Sequence, residues 1–398
     1  MGSRLEPLRV PGYRQLAGSY AINRIGDVLA LITLAVVVYD ETHSAFATTG
    51  MFLAMEFLPS LAAPALTARF DRLPVARLLA VIYVVEAVTF GVLALLTHHF
   101  SLPLVLVLLA LDGTLAVLAR AITRGALASI LEPAGQLREG NALLNLALAP
   151  AFAAGGALAG VLVGALGADV ALVIDALSFA FAALLVRRAR GLYEEEPDEE
   201  PEHWRARLRD AMAYLRGHRY ARMLLVAQGT VMVFFTLTIP IEVVYVRESL
   251  DAGTGGYGAF FAAWGLGVMI GSVMFSVARR VPVAALALGA TVLQGVAFLA
   301  LAAAPNIVAA CAIAVAGGLA NGLQEVALLT ALQEAVSSRF QTRVMAVLES
   351  ATTATPSIGF LLGGLFATIY SARTAFVAAG AGILIIATAV VAARPWRY

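Results

Sequence analysis

The sequence predicts an all-α membrane protein with twelve transmembrane helices, arranged as two parallel repeats of six. Of its 398 residues, 61% are hydrophobic and 13% are charged, about half the charged fraction of a soluble protein. Twelve apolar runs follow one another, each near the length of about 20 residues that spans a bilayer. The first half of the chain also matches the second. Together these observations place the chain in a lipid bilayer.

The twelve apolar runs are the predicted spans, numbered 1 to 12 in chain order. Short polar or Gly/Pro-containing segments separate them. By residue number their limits are 15–39, 45–68, 75–97, 101–124, 140–165, 168–187, 222–246, 256–278, 283–304, 307–331, 343–369 and 373–393.

The distribution of arginine predicts the orientation. Arginines in the connections on one side, including both termini, number 24, whereas the opposite side has only Arg247 and Arg373. Cytoplasmic loops carry the excess of basic residues, so both termini are predicted to be cytoplasmic and the protein to lie in the cell inner membrane. The remaining arginine, Arg24, falls inside span 1.

Composition also excludes several functions. A net charge of +1 provides no basic field for nucleic acid. Lys is absent, which excludes a P-loop, a retinal Schiff base and a pyridoxal phosphate anchor. The single cysteine, Cys311, excludes an internal disulfide and a Cys-x-x-Cys pair. With no hydrolase or metalloprotease motif, the sequence predicts neither an enzyme nor a cofactor or metal.

The longest break between spans divides the chain into a six-helix bundle over 1–187, a cytoplasmic linker over 188–221 and a second bundle over 222–398. Apolar residues at helical spacing in 203–217, flanked by arginines, predict an amphipathic helix in the linker. Trp204 and Leu208 are on its apolar face. Such a helix suits either the anionic inner leaflet or a solvated connection between the halves.

An internal repeat supports this division. At an offset of 208 residues, span 2 aligns with span 8 without gaps. The matched pairs include Gly50 with Gly258, Phe52 with Phe260, Ala54 with Ala262, Leu58 with Leu266, Arg72 with Arg280 and Pro74 with Pro282. Spans 5 and 11 each place a proline before glycines at four-residue spacing, which predicts close contacts between the halves. Two parallel six-span repeats around a central cavity are typical of the major facilitator fold.

Local motifs make the resemblance more specific. The motifs are Asn23-Arg24-Ile25-Gly26-Asp27, Phe57-Leu58-Pro59, Phe70-Asp71-Arg72 with Arg77, Leu131-Glu132-Pro133, Glu139-Gly140-Asn141-Ala142 and Ile174-Asp175-Ala176-Leu177-Ser178-Phe179. On these residues the chain resembles the third drug–proton antiporter family of the major facilitator superfamily, which includes the macrolide efflux proteins and the enterobactin exporter. The resemblance implies that spans 1, 4, 7 and 10 surround a cavity. It also implies that Asp71 and Arg72 belong to a conformational gate on the cytoplasmic side.

Acids within the spans are the candidate proton-coupling residues. A charged group at the bilayer centre costs about 2.5–3.5 kcal/mol, so an acid there needs a partner, a water-filled cavity or a bound proton. We predict proton coupling by Asp27, Asp112 and Glu56. A static Arg24–Asp27 ion pair is the alternative for span 1, and an anchor for the gate is the alternative for Asp112. Glu86 and Asp175 lie on spans that the resemblance places outside the cavity, which favours structural roles.

The remaining candidates line the cavity or form the gate. Substrate-cavity residues are predicted to be Asn23, Arg24, Gln228, Phe235, Thr238, Glu242, Trp264, Asn321, Gln324 and Glu325. Polar contacts between helices are the alternative for these side chains, and packing is the alternative for Trp264. The predicted gate residues are Asp71, Arg72, Arg77, Arg120 and Arg124.

The sequence therefore predicts a monomeric exporter of amphipathic small molecules that is driven by protons and works by alternating access in the lipid bilayer. The predicted partners are a small-molecule substrate and protons. Export of a siderophore, another natural product or a lysophospholipid is an alternative within the same class. A membrane receptor or scaffold without transport activity is the alternative from another class, with segment 203–217 as its docking element.

Overall fold

The computed structural model describes residues 2–10, 12–59, 75–131, 134–189, 204–278 and 280–393. In these ranges the regular secondary structure is helical throughout, as predicted. The apolar runs lack the polar alternation of strands, and their backbone groups are satisfied within each helix, as a bilayer requires.

Nine of the described helices are long and apolar enough to cross a membrane. They are Tyr13–Thr42, Val75–Leu96, Leu102–Arg120, Ala168–Arg187, Arg219–Ser249, Thr254–Phe275, Val283–Ala302, Ile307–Ala335 and Ala372–Ala392. Three shorter apolar helices, Ala45–Phe57, Ala153–Leu166 and Thr355–Ile369, lie at spans 2, 5 and 11. The helices that contain the last two run over Leu137–Leu166 and Ser338–Ile369, and the helix of span 4 extends to Leu131. The predicted twelve-helix fold is confirmed.

Polar side chains define where several spans begin. The Ser44 hydroxyl accepts a hydrogen bond from the Ala47 amide at 3.2 Å, and Asn306 Oδ1 accepts one from the Ala309 amide at 3.0 Å. Ser371 caps span 12 in the same way through the amide of Thr374, at 3.2 Å. Each of these side chains accepts a hydrogen bond from one of the free amides in the first turn of its helix. Spans 2, 10 and 12 therefore begin at these capping residues.

Spans 2 and 7 depart from regular α-helix. Span 2 has a π-helical turn over Leu53–Phe57, which contains Glu56. Span 7 is α-helical from Arg219 to Thr236 and then breaks at the 3-10 turn Ile239–Ile241, which includes Pro240. Proline removes a helical hydrogen bond, which explains the break, and π turns are frequent at functional sites.

The chain forms two compact units. The first unit comprises residues 1–198 with 253–262, and the second comprises residues 199–252 with 263–398. In the first unit, span 6 packs along spans 1 and 3. The start of span 8, over 253–262, belongs to the first unit, which the linear division of the sequence does not anticipate. The bundle boundaries of the sequence analysis stay a prediction.

Glycines bring helix backbones together in both units. In the first unit, a Cβ at Gly258 would meet the Gly160 backbone, and one at Gly155 would meet the Val28 side chain 2.7 Å away. Span 5 therefore uses neighbouring glycines to contact spans 8 and 1. In the second unit, Gly359 and Gly363 of span 11 face the span 7 backbone near Leu237. The close packing was predicted, but these span 11 glycines contact a helix of their own half.

Spans 8 and 10 are in close backbone contact in the second unit. Gly267 and Gly271 of span 8 lie against the backbone of span 10, near Val315 and Leu319 respectively. Gly318 and Gly322 of span 10 lie against Trp264 and Val268 of span 8. Both helices thus present glycines four residues apart, the spacing that lets membrane helices approach closely.

Arg373 ties three helix ends together in the second unit. Its Nη1 donates to the carbonyl of Ala302 at 2.7 Å, and its Nη2 donates to the carbonyl of Ser249 at 2.9 Å. The guanidinium also lies 6.0 Å from the ring centroid of Tyr245, whose hydroxyl donates to the Leu301 carbonyl at 2.6 Å. Spans 7, 9 and 12 are therefore joined where spans 7 and 9 leave carbonyls without helical partners.

The linker contains the predicted helix, over Trp204–Gly217. The side chains of Trp204 and Leu208 lie outside the described residues. The last turn packs on the second unit, because Leu215 is buried with Leu332, Val336 and Val344. Tyr214 stacks on Phe340 at a centroid separation of 4.4 Å, and its hydroxyl accepts a hydrogen bond from the Ser337 amide at 3.1 Å. This turn is docked on the ends of spans 10 and 11, an arrangement that neither sequence interpretation included.

Replacing Tyr214 with Ala should therefore loosen the linker helix without unfolding the bundle. The variant loses a stacked pair and one hydrogen bond, a change of about 1–3 kcal/mol in local stability. Faster proteolysis near the linker, at an unchanged melting temperature of the bundle, would report this effect. Met212→Ala is the matched control because Met212 is exposed two residues away. Equal proteolysis rates in the two variants would contradict the docked arrangement.

Candidate functional site

The Arg24–Asp27 pair is the centre of the charged interior of the first unit. Arg24 Nη1 donates to Asp27 Oδ2 at 2.8 Å, and the side chains are 20% and 22% exposed. The two residues are three apart on span 1, so one helix face presents both charges. The sequence-predicted pairing is present. The pair is therefore only partly buried by the rest of the chain.

Arg120, a predicted gate residue, interacts electrostatically with the same charged group. Its guanidinium is within electrostatic reach of Arg24, Asp27 and Glu56. In the sequence, no arginine lies within one helical turn of Glu56. The structure brings Arg120 and Arg24 near it from spans 4 and 1. Glu56 itself is exposed, on the π turn of span 2.

Three further acids are buried behind the Arg24–Asp27 pair. Glu86 and Asp175 are 0% exposed and Asp112 is 6% exposed. Asp175 Oδ1 accepts a hydrogen bond from the Ser178 hydroxyl at 3.1 Å and packs against Gly26, the residue before Asp27. Both carboxyl oxygens of Glu86 and one oxygen each of Asp112 and Asp175 have no hydrogen-bond partner among the described residues.

Glu86 and Asp175 lie on spans that the family resemblance places outside the cavity, and both side chains are buried in the interior of the first unit. Span 6 packs against spans 1 and 3, which turns one face of each helix inward. The sequence did contain a signal, because apolar residues surround both acids in their helices and an acid in such a span needs a protected environment.

In the second unit, an amide pair joins spans 7 and 10. Gln324 Nε2 donates to Gln228 Oε1 at 2.7 Å, and both side chains line a small cavity of about 50 Å³. Of the two acids predicted there, Glu325 is exposed and Glu242 is partly buried beyond the break at Pro240. Asn321 is partly buried on span 10. The structure thus brings Gln228 and Gln324 together, as the alternative of polar contacts between helices requires.

Aromatic side chains of the second unit form a continuous stack. Trp264 stacks on Phe298 at a centroid distance of 5.6 Å, and Phe235 lies 5.9 Å from Trp264. A Cβ at Gly317 would meet the Trp264 ring 2.6 Å away. The Thr238 hydroxyl donates to the Phe235 carbonyl at 2.9 Å and is buried. Trp264 therefore packs against neighbouring side chains and backbone, which agrees with the alternative interpretation of this residue.

Part of the predicted gate lies outside the described residues. Asp71 and Arg72 fall in the range 60–74, and the side chain of Arg124 is also outside the description. Arg77 is exposed in the first turns of span 3. Asn23 is buried on span 1, one turn before Asp27, and its Oδ1 has no hydrogen-bond partner in the described ranges.

A second polar feature lies near the end of span 1, away from the N-terminus. A cavity of about 370 Å³ is lined there by Asp40, Glu41, His98 and Asp169, among others. His98 Nε2 lies 3.6 Å from Asp169 Oδ2. Among the described residues, no group of three or more His, Cys, Asp or Glu side chains is arranged to hold a metal ion.

Solved structures share the fold at low sequence identity. A substituted form of the nucleoside transporter NupG superposes with a TM-score of 0.80 at 12% identity, covering 96% of this chain and 99% of that one. A POT family transporter in complex with 5-aminolevulinic acid gives a TM-score of 0.77 at 11% identity, with 97% and 96% covered. A bacterial homologue of the iron transporter ferroportin, in an inward-facing state, gives 0.66 at 16% identity, with 96% and 99% covered.

No curated protein sequence matches the chain, but a family model does. The family model of the Major Facilitator Superfamily matches residues 16–283, which is more than half of the chain. The protein is therefore a multi-pass membrane transporter that belongs to the major facilitator superfamily.

Proposed function

We propose that this transporter is a proton-coupled exporter of amphipathic small molecules that works by alternating access. The observation that carries the proposal is the Arg24–Asp27 pair, which is one-fifth exposed and lies within reach of Arg120 and other acids. An acid that exchanges a cation partner for a proton can couple proton movement to a conformational change. Asp27, Asp112 and Glu56 are the proposed coupling residues.

The proposed cycle uses the chain's own charges. Protonation of Asp27 removes its attraction for Arg24, which is then free to interact with another acid such as Glu56. Loss of that proton restores the pair. If the two halves expose Asp27 to opposite sides in turn, each cycle carries one proton inward and releases cargo outward. The exposed carboxyls of Glu56 and Glu325 favour a cationic or zwitterionic cargo by simple attraction.

The proposed cargo class is based on the sequence and not on the similar structures. The similar structures are named for nucleosides, a peptide conjugate, 5-aminolevulinic acid and iron. Such different cargoes on one fold mean that the fold does not select the substrate. Siderophores and lysophospholipids are the rival cargoes, and both can be tested beside a lipophilic cation.

Proteoliposomes with an imposed pH gradient test this function. Wild-type protein should move tetraphenylphosphonium against its gradient while protons move in the opposite direction. Asp27→Asn should abolish this uphill movement and leave gradient-free exchange of the probe in place. Glu41→Gln is the matched control, because Glu41 is an exposed acid on the same helix.

Several outcomes would contradict the proposal. Uphill transport that persists in Asp27→Asn, Asp112→Asn and Glu56→Gln would remove proton coupling by these acids. Transport of a siderophore or a lysophospholipid, but not of the cation, would replace the cargo class. No flux of any probe by the folded wild type would favour the receptor or scaffold.

A further inference from the structure

Glu86 is a fully buried acid in the described part of the first unit. Its side chain is 0% exposed at the middle of span 3. Both of its carboxyl oxygens lie buried without a hydrogen-bond partner among the described residues. When ionised, this carboxylate has two oxygen atoms that accept hydrogen bonds, and no described group donates one to them. A bound proton would supply the missing hydrogen on one of these oxygens.

Charged and titratable groups on spans 1, 4 and 6 act electrostatically on Glu86. Asp112 exerts the largest electrostatic effect on it, and Arg120 is the cation among its charged neighbours. The group comprises Tyr83 on span 3, Asp112 and Arg120 on span 4, Asp27 on span 1 and Asp175 on span 6. Acids therefore outnumber cations around Glu86.

Arg24, one of the two interior arginines, is already paired with another acid, because it is hydrogen-bonded to Asp27. Arg120 interacts electrostatically with Asp27 and Glu56 as well as with Glu86. The buried acids of the first unit that have no salt bridge in the described structure are Glu86, Asp112 and Asp175. If all three were ionised, each would add about 2.5–3.5 kcal/mol of burial cost in a membrane. Acids that interact in this way bind and release their protons as a coupled group.

A metal ion does not account for the cluster. The described side chains include no arrangement of three or more acids, histidines or cysteines that would hold one. The Ser178 hydroxyl donates to Asp175 and satisfies only one oxygen of that carboxyl. The proton is therefore the ligand that matches the unpartnered oxygens.

We propose that Glu86 is a further proton-binding residue, which together with Asp112 and Asp175 forms a proton store near Asp27. Binding of a proton forms an O–H bond on a Glu86 oxygen and neutralises the carboxylate. Asp175 Oδ2, which has no hydrogen-bond partner among the described residues, offers a neighbouring site for a proton. A role for this proton store in transport rests on the proposed function. Proton binding by Glu86 does not depend on that function.

Infrared difference spectroscopy of the purified full-length protein tests proton binding directly. Spectra at mildly acidic and alkaline pH should show the absorption of protonated carboxyl groups in a dry environment. Glu86→Gln should remove part of this band and reduce by about one the protons released per molecule on alkalinisation. Glu41→Gln, the exposed control, should leave the buried-carboxyl band unchanged.

A second variant keeps the test decisive if Glu86→Gln fails to fold. Asp112→Asn removes the acid with the largest electrostatic effect on Glu86 and should shift the frequency of the remaining Glu86 band. An unchanged band and an unchanged proton count in whichever variant folds would overturn the proposal. These measurements need no substrate. A wild-type protein that binds these protons but fails to transport any probe would therefore contradict the proposed function alone.

Discussion

Alanine at both Gly318 and Gly322 is expected to prevent the second unit from folding normally. Each added Cβ would meet the backbone of span 8, at Trp264 and Val268. Backbone atoms cannot move aside as a flexible side chain can, so the helices must separate. Overpacking of this kind costs about 1–3 kcal/mol per site, which for two sites is a large part of a total stability of about 5–15 kcal/mol.

The melting temperature in detergent and the yield of monodisperse protein check this prediction. Gly289→Ala on span 9 is the control, since a Cβ at Gly289 has no atom within 4 Å. That control should be neutral, or more stable by up to about 1 kcal/mol through helix propensity. If the double variant melts with the control, the close contact of spans 8 and 10 does not exist.

Loss of the Arg373 guanidinium should produce the second large effect. Arg373→Met leaves the carbonyls of Ser249 and Ala302 without this donor at the ends of spans 7 and 9. Hydrogen bonds from a charged donor are worth about 1.5–3 kcal/mol each, so the expected destabilisation is about 3–6 kcal/mol. Arg373→Lys should recover only part of this, because a single ammonium does not reproduce the two arms of the guanidinium.

Thermal unfolding of the three proteins is the measurement. The expected order of melting temperature is wild type, Arg373→Lys and then Arg373→Met. Arg280→Met provides the control at an exposed arginine. Equal melting temperatures for the Met variants at positions 373 and 280 would show that Arg373 does not tie these helix ends.

The sequence predicts the spans well because bilayer thickness fixes their length and composition. It also predicts the Arg24–Asp27 contact, since residues three apart share a helix face. It does not place Arg120 beside Glu56, because that contact joins helices distant in sequence. The same reason explains why the burial of the Glu86 side chain could not be predicted. Its orientation depends on how span 3 packs against its neighbours, which apolar composition on all sides of a helix does not encode.

The linker helix shows a different limit. Its amphipathic pattern predicts a helix and an apolar face, and the helix is present. The pattern does not identify what covers that face, because lipid and protein surfaces both suit apolar side chains. Tyr214 and Leu215 meet the ends of spans 10 and 11 instead. A membrane surface was one expectation for this segment, and for its last turn a protein surface takes that place.

The π turn at Leu53–Phe57 has a mechanical consequence for Glu56. In this turn the Leu58 amide bonds to the Leu53 carbonyl, five residues back instead of four. Each residue of an α-helix advances about 100° around the axis, so relaxing this one wide turn rotates the parts of the helix on either side by about that angle. The direction in which Glu56 points is thus fixed by a single local hydrogen-bond register. Deleting one residue here would redirect the carboxylate and change the packing of this turn against span 4, where Gly113 lies beside the Met55 carbonyl.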